Sequence, residues 1–454
     1  GMYQDRLYLN DGQGRFTKSK GLPEIMASGS CAVANDFDKD GDLDLFVGGR
    51  VSPGEYPMPA QSYLLENRSE PIATEPHFTD IANSVEGWQN LSMVTSAIWT
   101  DYDNDGWTDL ITVGEFMPIT FFHNDNGNLV HREIPGLDKS EGWWNSINSG
   151  DFDQDGDMDY ILGNLGLNTK YRASTQEPLR IYASDYDKNG KIDPVMSYYI
   201  DGENQLAHSR DEIVGQINAM RGRFKTYEAY ATTPFEKSFL PQELEAAYVI
   251  ESHIFTSSYL ENLGNGRFEL RSLPLALQTA PIEGISVADF DLDGLQDILL
   301  TGNSYATEAA TGRYDAFMGA FLKGNGDGTF KNIPFDKSGF LNDSDASGLA
   351  YLRNASGNYT IMSANNDDAL KLFTSHPTSQ NTEWIAAKPN TQFATIETSD
   401  GKTFKMEFHY GSGYLSQNSR GLFVTDTMKK INFTDSRGNT KNVYPETETN
   451  SIER

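Results

Sequence analysis

A nine-residue pattern, Asp-x-Asp-x-Asp/Asn-Gly-x-x-Asp, recurs five times and constrains this chain more than any other feature. It spans Asp36–Asp44, Asp101–Asp109, Asp151–Asp159, Asp185–Asp193 and Asp289–Asp297. Side chains at positions 1, 3, 5 and 9 can converge on one point, together with the backbone carbonyl of position 7. That is an all-oxygen cage for a hard cation. Calcium suits it, because calcium accepts about six to eight oxygens at loose geometry, whereas magnesium demands a strict octahedron with waters. The Gly at position 6 supplies the sharp turn. The cage residues are Asp36, Asp38, Asp40 and Asp44 with the carbonyl of Asp42; Asp101, Asp103, Asp105 and Asp109 with Trp107; Asp151, Asp153, Asp155 and Asp159 with Asp157; Asp185, Asp187, Asn189 and Asp193 with Lys191; and Asp289, Asp291, Asp293 and Asp297 with Leu295. A single copy would read equally well as an acidic turn between strands. Five copies at one spacing point to about five calcium sites. An EF-hand is excluded, since that loop needs Glu at position 12 and flanking helices. Here position 12 is Val47, Thr112, Leu162, Met196 and Leu300, and the flanks are strand-like.

Each loop lies between two short apolar runs, the first two strands of a repeated unit; Ser96–Thr100 and Leu110–Gly114 are one such pair. Most units then carry an aromatic-x-x-Asn run, a Gly-rich turn and a Phe, as in Tyr8–Phe16, Tyr259–Phe268 and Phe321–Phe330. These are hairpin signals, giving strands three and four. Four strands per unit predict an all-β chain built as a β-propeller. First halves fall near residues 30–47, 95–113, 147–163, 180–199, 285–302 and 348–364. In the last, Asn354–Asn358 replaces the acidic loop, so no metal is expected there. If the hairpin at 7–18 completes the last unit the count is six; if residues 365–390 complete it alone the count is seven. The third unit lacks a clear second hairpin, so Leu179–Tyr199 is an alternative partner for it. Residues 205–248 break the pattern. Ser209-Arg-Asp-Glu212 and Thr233-Pro-Phe-Glu236 read as capping-box openings of a helical insertion of two or three helices. Its basic island, Arg221, Arg223 and Lys225, reads as a solvated helix end.

The alternation of acidic loops and hairpins over roughly residues 5–375 resembles the FG-GAP/VCBS repeat proteins. The resemblance implies a propeller, residues 1–378, with calcium in the loops between first and second strands. Residues 390–447 form a small β-domain with short alternating runs. Gly411-Ser-Gly-Tyr-Leu-Ser-Gln417, followed by Gly421-Leu-Phe-Val, resembles the ASPIC/UnbV domain. A Trp-Pro-x-Gly ending is common there; Val443-Tyr-Pro-Glu stands in its place.

The formal charge of the 454 residues is −29, and the nineteen cage Asp account for much of it. Five calcium ions would bring the balance to about −19, which still repels phosphate backbones, so nucleic acid is not an expected partner. The single cysteine, Cys31, excludes an internal disulfide. No apolar run is long enough to span a membrane. Low-affinity calcium modules work at about millimolar calcium, which places the chain outside the cytosol: extracellular, periplasmic or at the outer cell surface, with no export signal within these residues.

If the acidic loops line one face, the loops entering first strands and leaving second strands lie on the other. That face is expected to gather Trp88, Trp143, Trp144, Asn145, Arg50, Glu115, Asn164, Lys170, Arg172, Arg313 and Tyr314. Aromatic platforms beside Arg and Asn suit a sugar or peptide. The competing reading buries these Trp rings between units or under the insertion.

Catalytic signals are weak. The seven histidines show no zinc spacing, and there is neither a Gly-x-Ser-x-Gly elbow nor a phosphate loop. Lys170, Tyr171 and Arg172 offer a base for calcium-assisted polysaccharide lyase chemistry, on analogy with the fold alone. The expectation is a calcium-binding adhesion or recognition module rather than an enzyme. The alternatives are a polysaccharide-degrading enzyme and a structural subunit of a surface assembly.

Overall fold

The computed structural model describes residues 4–70, 73–308, 311–376 and 383–445. Strands β1 (Tyr8–Asn10) and β2 (Phe16–Lys18) form a hairpin. Five antiparallel sheets follow. The first is β3 (Gly29–Asn35), β4 (Asp44–Gly49), β5 (Tyr63–Asn67) and β6 (Phe78–Asp80). The second is β7 (Met93–Thr100), β8 (Asp109–Met117), β9 (Thr120–Asp125) and β10 (Asn128–Arg132), with β11 (Gly142–Trp143) also on β8. The third begins with β12 (Ser146–Gly150) and β13 (Asp159–Gly163). The chain then leaves it to build a separate sheet from β14 (Leu179–Ser184), β15 (Asp193–Ile200), β16 (Glu203–Leu206) and β17 (Tyr248–Ser252), before completing the third with β18 (Ser258–Asn262) and β19 (Phe268–Ser272). The fourth is β20 (Ile282–Ala288), β21 (Asp297–Gly302), β22 (Ala320–Gly324) and β23 (Phe330–Ile333). The fifth has three strands, β24 (Ala346–Arg353), β25 (Tyr359–Asn365) and β26 (Lys371–Thr374). Beyond it, β27 (Glu383–Ala386) pairs with β30 (Gly421–Val424), and β28 (Thr391–Thr398), β29 (Thr403–Glu407), β31 (Met428–Asp435) and β32 (Thr440–Val443) form one sheet in the order β29-β28-β31-β32.

First strands stand side by side: β3 on β7, β7 on β12, β12 on β20 and β20 on β24. The core therefore lies in layers between sheets. Phe46, Leu64, Trp99 and Phe122 fill the layer between the first and second, and Ile111, Phe121, Tyr160 and Leu260 the next. In the first four sheets of the row the second strands are buried on both faces, which is why Leu110-Ile-Thr-Val113 is apolar without alternation.

Two expectations need correction. The acidic loop at 185–193 joins β14 to β15, outside the row of five. That sheet is an insertion within the third, whose own second hairpin is β18–β19. The hairpin β1–β2 pairs with itself and does not complete the fifth sheet. The chain is all-β, with five sheets in the row, and no closed ring is identified among the described residues. Between β3 and β24 lies the C-terminal segment Tyr410–Gly413: Tyr410 bridges to Ala34, and a Cβ on Gly411 or Gly413 would meet the carbonyl oxygens of Ala32 or Leu349 at 2.7 and 3.0 Å.

The segment 205–248 holds five short helices rather than two or three: α1 (Arg210–Gln216), α2 (Met220–Arg223), α3 (Tyr227–Ala231), α4 (Phe235–Ser238) and α5 (Pro241–Glu245). Ser209 and Glu212 form the capping box of α1. At the second opening Pro234 is the N-cap, and Thr233 Oγ1 donates back to the Ala229 carbonyl, closing α3 instead. Ile213, Met220, Phe224, Phe235 and Phe239 pack onto Val195 of the inserted sheet. In the basic island, Arg223 makes a bidentate pair with Glu243.

Candidate functional site: five acidic loops

All five loops share one backbone shape. The residue at position 4 (Lys39, Asn104, Gln154, Lys188, Leu292) has φ of 57–62°, and the Gly at position 6 has φ of 82–107°. That left-handed pair folds the loop so that its N–H groups point inward. The position-6 N–H donates to the first Asp in every copy, at 2.8–3.2 Å. The position-7 N–H donates to the position-5 side chain at 2.7–3.0 Å. Within its own loop position 7 serves through its backbone N–H, which explains why Asp42, Trp107, Asp157, Lys191 and Leu295 all stand there.

Carboxylate oxygens of positions 1, 3 and 5 lie within 4.8 Å of one another in Asp36, Asp38 and Asp40, in Asp101, Asp103 and Asp105, and in Asp151, Asp153 and Asp155. In the inserted sheet the group is Asp185, Asp187 and Asp193, with Asn189 accepting from Lys191. Asp103, Asp109 and His123 form a further group. In the loop at 289–297 the Lys323 ammonium pairs with Asp291 and, at 2.6 Å, with Asp293.

Position 9 has a second task. Asp44, Asp109, Asp159 and Asp297 accept from the backbone N–H of Asn67, Asn124, Asn262 and Gly324 at the end of the third strand. Asp109, Asp159, Asp193 and Asp297 also accept from the position-2 N–H. These residues tie the loop to its sheet. Burial pushes Asp44, Asp159 and Asp297 up to about 8 and Asp109 up to about 9. Burial likewise raises Asp101 to about 6, and Asp151 and Asp289 to about 7. Asp36 Oδ2, Asp44 Oδ2, Asp101 Oδ1 and Asp291 Oδ1 are buried with no hydrogen-bond partner. A buried carboxylate oxygen without a donor is costly unless a cation meets it.

The C-terminal sheet lies against the loops at 36–44, 101–109 and 151–159, and Gly294 of the loop at 289–297 abuts Thr427, contacts the sequence reading missed. The Lys405 N–H donates to Asp151 Oδ2 at 2.8 Å, and its ammonium reaches Asn104 Oδ1 at 2.8 Å, Glu407 at 3.3 Å and Asp101 at 3.5 Å. Glu407 accepts from the Asp101 N–H, Gln392 donates to Thr108, and Arg437 reaches the Asp40 carbonyl. The available signal was Lys405 and Glu407 themselves, two charges inside the alternating run Thr403–Phe408.

The opposite end of the first strands opens into a cleft of about 580 Å³ lined by Arg50, Thr95, Asn145, Glu283, Tyr414 and Leu415, among others. Of the residues expected on this side, several are structural. Trp144 is fully buried and donates from its indole to the Ser140 carbonyl. Trp88 is buried between Phe46 and Phe122. Asn164 is buried, its amide spent on the carbonyls of Ile254 and Thr256, and Tyr314 is buried against Thr169. Trp143 is half-buried on Phe116. Lys170 pairs with Glu308 at 3.0 Å beside the buried Tyr171, and Arg172 holds the carbonyls of Thr169 and Tyr171. Arg313 stacks on Tyr305. Arg50 and Asn145 remain in the cleft. Arg50 is paired with Glu115, which also accepts from the Tyr56 hydroxyl. Burial, with Asp345 adding and Arg50 opposing, raises Glu283 to about 7.

The fold and loops define a repeat protein of antiparallel sheets, each acidic turn joining two paired strands of one sheet. Residues 101–162 match the FG-GAP-like repeat. The match runs from the second acidic loop to the strand that leaves the third, one full period of the row. Among the described residues no helix is long and apolar enough to cross a membrane.

Proposed function

We propose that this chain is a calcium-stabilised, propeller-like recognition module that works outside the cytosol, with a C-terminal domain of ASPIC/UnbV type seated over its metal loops. The carrying observation is the set of buried, unpartnered carboxylate oxygens in loops of one repeated shape. Oxygen-only donors at positions 1, 3, 5 and 9 fit a hard cation of calcium's size and flexibility. Calcium would supply charge neutralisation and cross-linking of the loop, and millimolar affinity would restrict it to calcium-rich compartments. FG-GAP repeats commonly serve adhesion or binding, which supports the recognition role.

With the loop face covered, the ligand face is the cleft around Arg50, Asn145, Glu283 and Tyr414. Its mixture of an exposed aromatic, an amide and opposite charges suits a carbohydrate or a peptide. The test is binding of the calcium-loaded chain to an array of polysaccharides and matrix proteins, beside Asn145→Ala and Tyr414→Ala. Binding lost in both variants supports the reading. Binding that both retain moves the site elsewhere, and no binding at all favours a structural subunit. An unsaturated product released from an acidic polysaccharide would make the chain an enzyme instead.

A further inference from the structure

The hairpin β1–β2 repeats the third and fourth strands of the complete sheets but lacks the strand they receive. Asn10 faces Phe16, as Asn67 faces Phe78, Asn262 faces Phe268 and Gly324 faces Phe330. Two residues earlier stand Tyr8 here and Leu65, Phe122, Leu260 and Leu322 in the sheets. Those four are buried, as are Phe78 and Phe268 at 7% and 8% exposure, whereas Tyr8 and Phe16 are 49% and 64% exposed.

The missing partner can be specified. In the four complete sheets the N–H of Asn67, Asn124, Asn262 or Gly324 donates, at 2.7–3.0 Å, to the Asp that opens the second strand. The residue after that Asp pairs with the buried apolar one: Leu45 with Leu65, Leu110 with Phe122, Tyr160 with Leu260, Ile298 with Leu322. In the hairpin, Ser19 N–H donates to the Leu7 carbonyl and Asp11 N–H to the Arg15 carbonyl. Hydrogen-bonded pairs alternate along an antiparallel ladder, so the N–H groups of Tyr8 and Asn10 point away from β2, to the open edge. Among the described residues β1 pairs only with β2. The five strands that begin with the motif's last Asp (β4, β8, β13, β15 and β21) are each already paired on both sides.

We propose that the open edge of β1 docks one antiparallel strand from a further repeat of this same type, lying outside the described residues: an Asp that accepts from the Asn10 N–H, then an apolar run beside Tyr8. Backbone bonds supply affinity, and the Asp fixes register, as in β-strand addition generally. A second copy of this chain offering its own β1 does not fit, because Tyr8-Leu-Asn10 carries no Asp to meet Asn10.

The test uses a fluorescent peptide with the sequence of residues 42–51, titrated into the full chain and followed by anisotropy and amide hydrogen exchange. Two controls accompany it: Asn10→Pro in the protein, and Asp44→Ala in the peptide. Proline removes the outward N–H at an edge position and spares the hairpin's backbone bonds, at the cost of the turn bond from the Gly12 N–H to Asn10 Oδ1. The expected result is saturable binding, slowed exchange at Tyr8 and Asn10, and a loss of about tenfold or more with either control, the usual cost of removing a hydrogen bond to a charged group. Absence of binding, or binding that both controls leave intact, overturns the proposal. A concentration-dependent dimer abolished by Asn10→Pro, without peptide binding, also overturns it and assigns the edge to a second copy.

Discussion

Asp109→Ala and Asp105→Ala separate the two tasks that one loop performs. Asp109 is fully buried and accepts from the N–H groups of Tyr102 at 3.2 Å and Asn124 at 2.7 Å. Truncation leaves both donors unpaired, at about 1–3 kcal/mol each. Part of that is offset, because burying the carboxyl is itself unfavourable, as its rise to about 9 reflects. The net expectation is a loss of about 2–4 kcal/mol in excess chelator. Asp105 is exposed and accepts only from the Trp107 N–H, so Asp105→Ala costs under about 0.5 kcal/mol in chelator. In calcium the order changes. With free calcium at about 100 times Kd, one filled site adds about 2.7 kcal/mol, and Asp105→Ala forfeits most of it. Urea unfolding of the three proteins in calcium and in chelator measures all these quantities. A loss below about 1 kcal/mol for Asp109→Ala in chelator refutes the tethering argument. An equal loss for Asp105→Ala in both conditions refutes the ligand assignment.

Four further outcomes are expected. Trp144→Ala lowers unfolding free energy by about 3–5 kcal/mol, read by denaturant titration; a small loss would remove it from the core. Lys405→Met leaves Asp101 and Glu407 facing each other without their cation and destabilises by about 3 kcal/mol, with calcium binding at the second loop tightened in a calorimetric titration. Lys323→Ala frees Asp291 and Asp293, so calcium binds the fifth loop more tightly; unchanged affinity would mean that the ammonium moves aside without cost. Because Glu283 is raised to about 7 when folded, its contribution is fully present below its unfolded value near 4.5 and is lost as pH rises through 7. Glu283→Gln should therefore gain in melting temperature relative to wild type between pH 5 and 8 in constant calcium, and a gap independent of pH would contradict this.

The acidic loops and the hairpins were legible because their chemistry is local. An Asp that caps a turn and a Gly with positive φ act within nine residues, so spacing alone exposes them. The placement of Leu179–Ser252 was not legible. Its apolar runs look like any second-strand pair, and only long-range pairing of β13 with β18 shows that it interrupts the third sheet. Trp143 and Trp144 illustrate the same limit: one ends the short strand β11 and the other follows it, and which ring meets the core depends on the neighbouring sheet. Lys405 and Glu407 marked their strand as unusual, yet their partners Asp101 and Asp151 lie about three hundred and about two hundred and fifty residues away. No local rule reaches that far.

The C-terminal segment between β3 and β24 also sets an order on assembly. His409 meets Ser149 at 2.9 Å, Ser412 accepts from Asn148, and Asn418 accepts from the Tyr351 N–H, while Tyr410 bridges to Ala34. During synthesis from the N-terminus, the five sheets emerge before any of these partners exists. The nascent row must wait with Asn148, Ser149 and the inner edge of β3 facing water. Its centre is sealed only when the last domain arrives, across a loop of hundreds of residues. Closure over such a span is slow, so the late intermediate, an open row with bare strand edges, is the species most exposed to aggregation. Removing the C-terminal domain would leave the molecule in that state permanently.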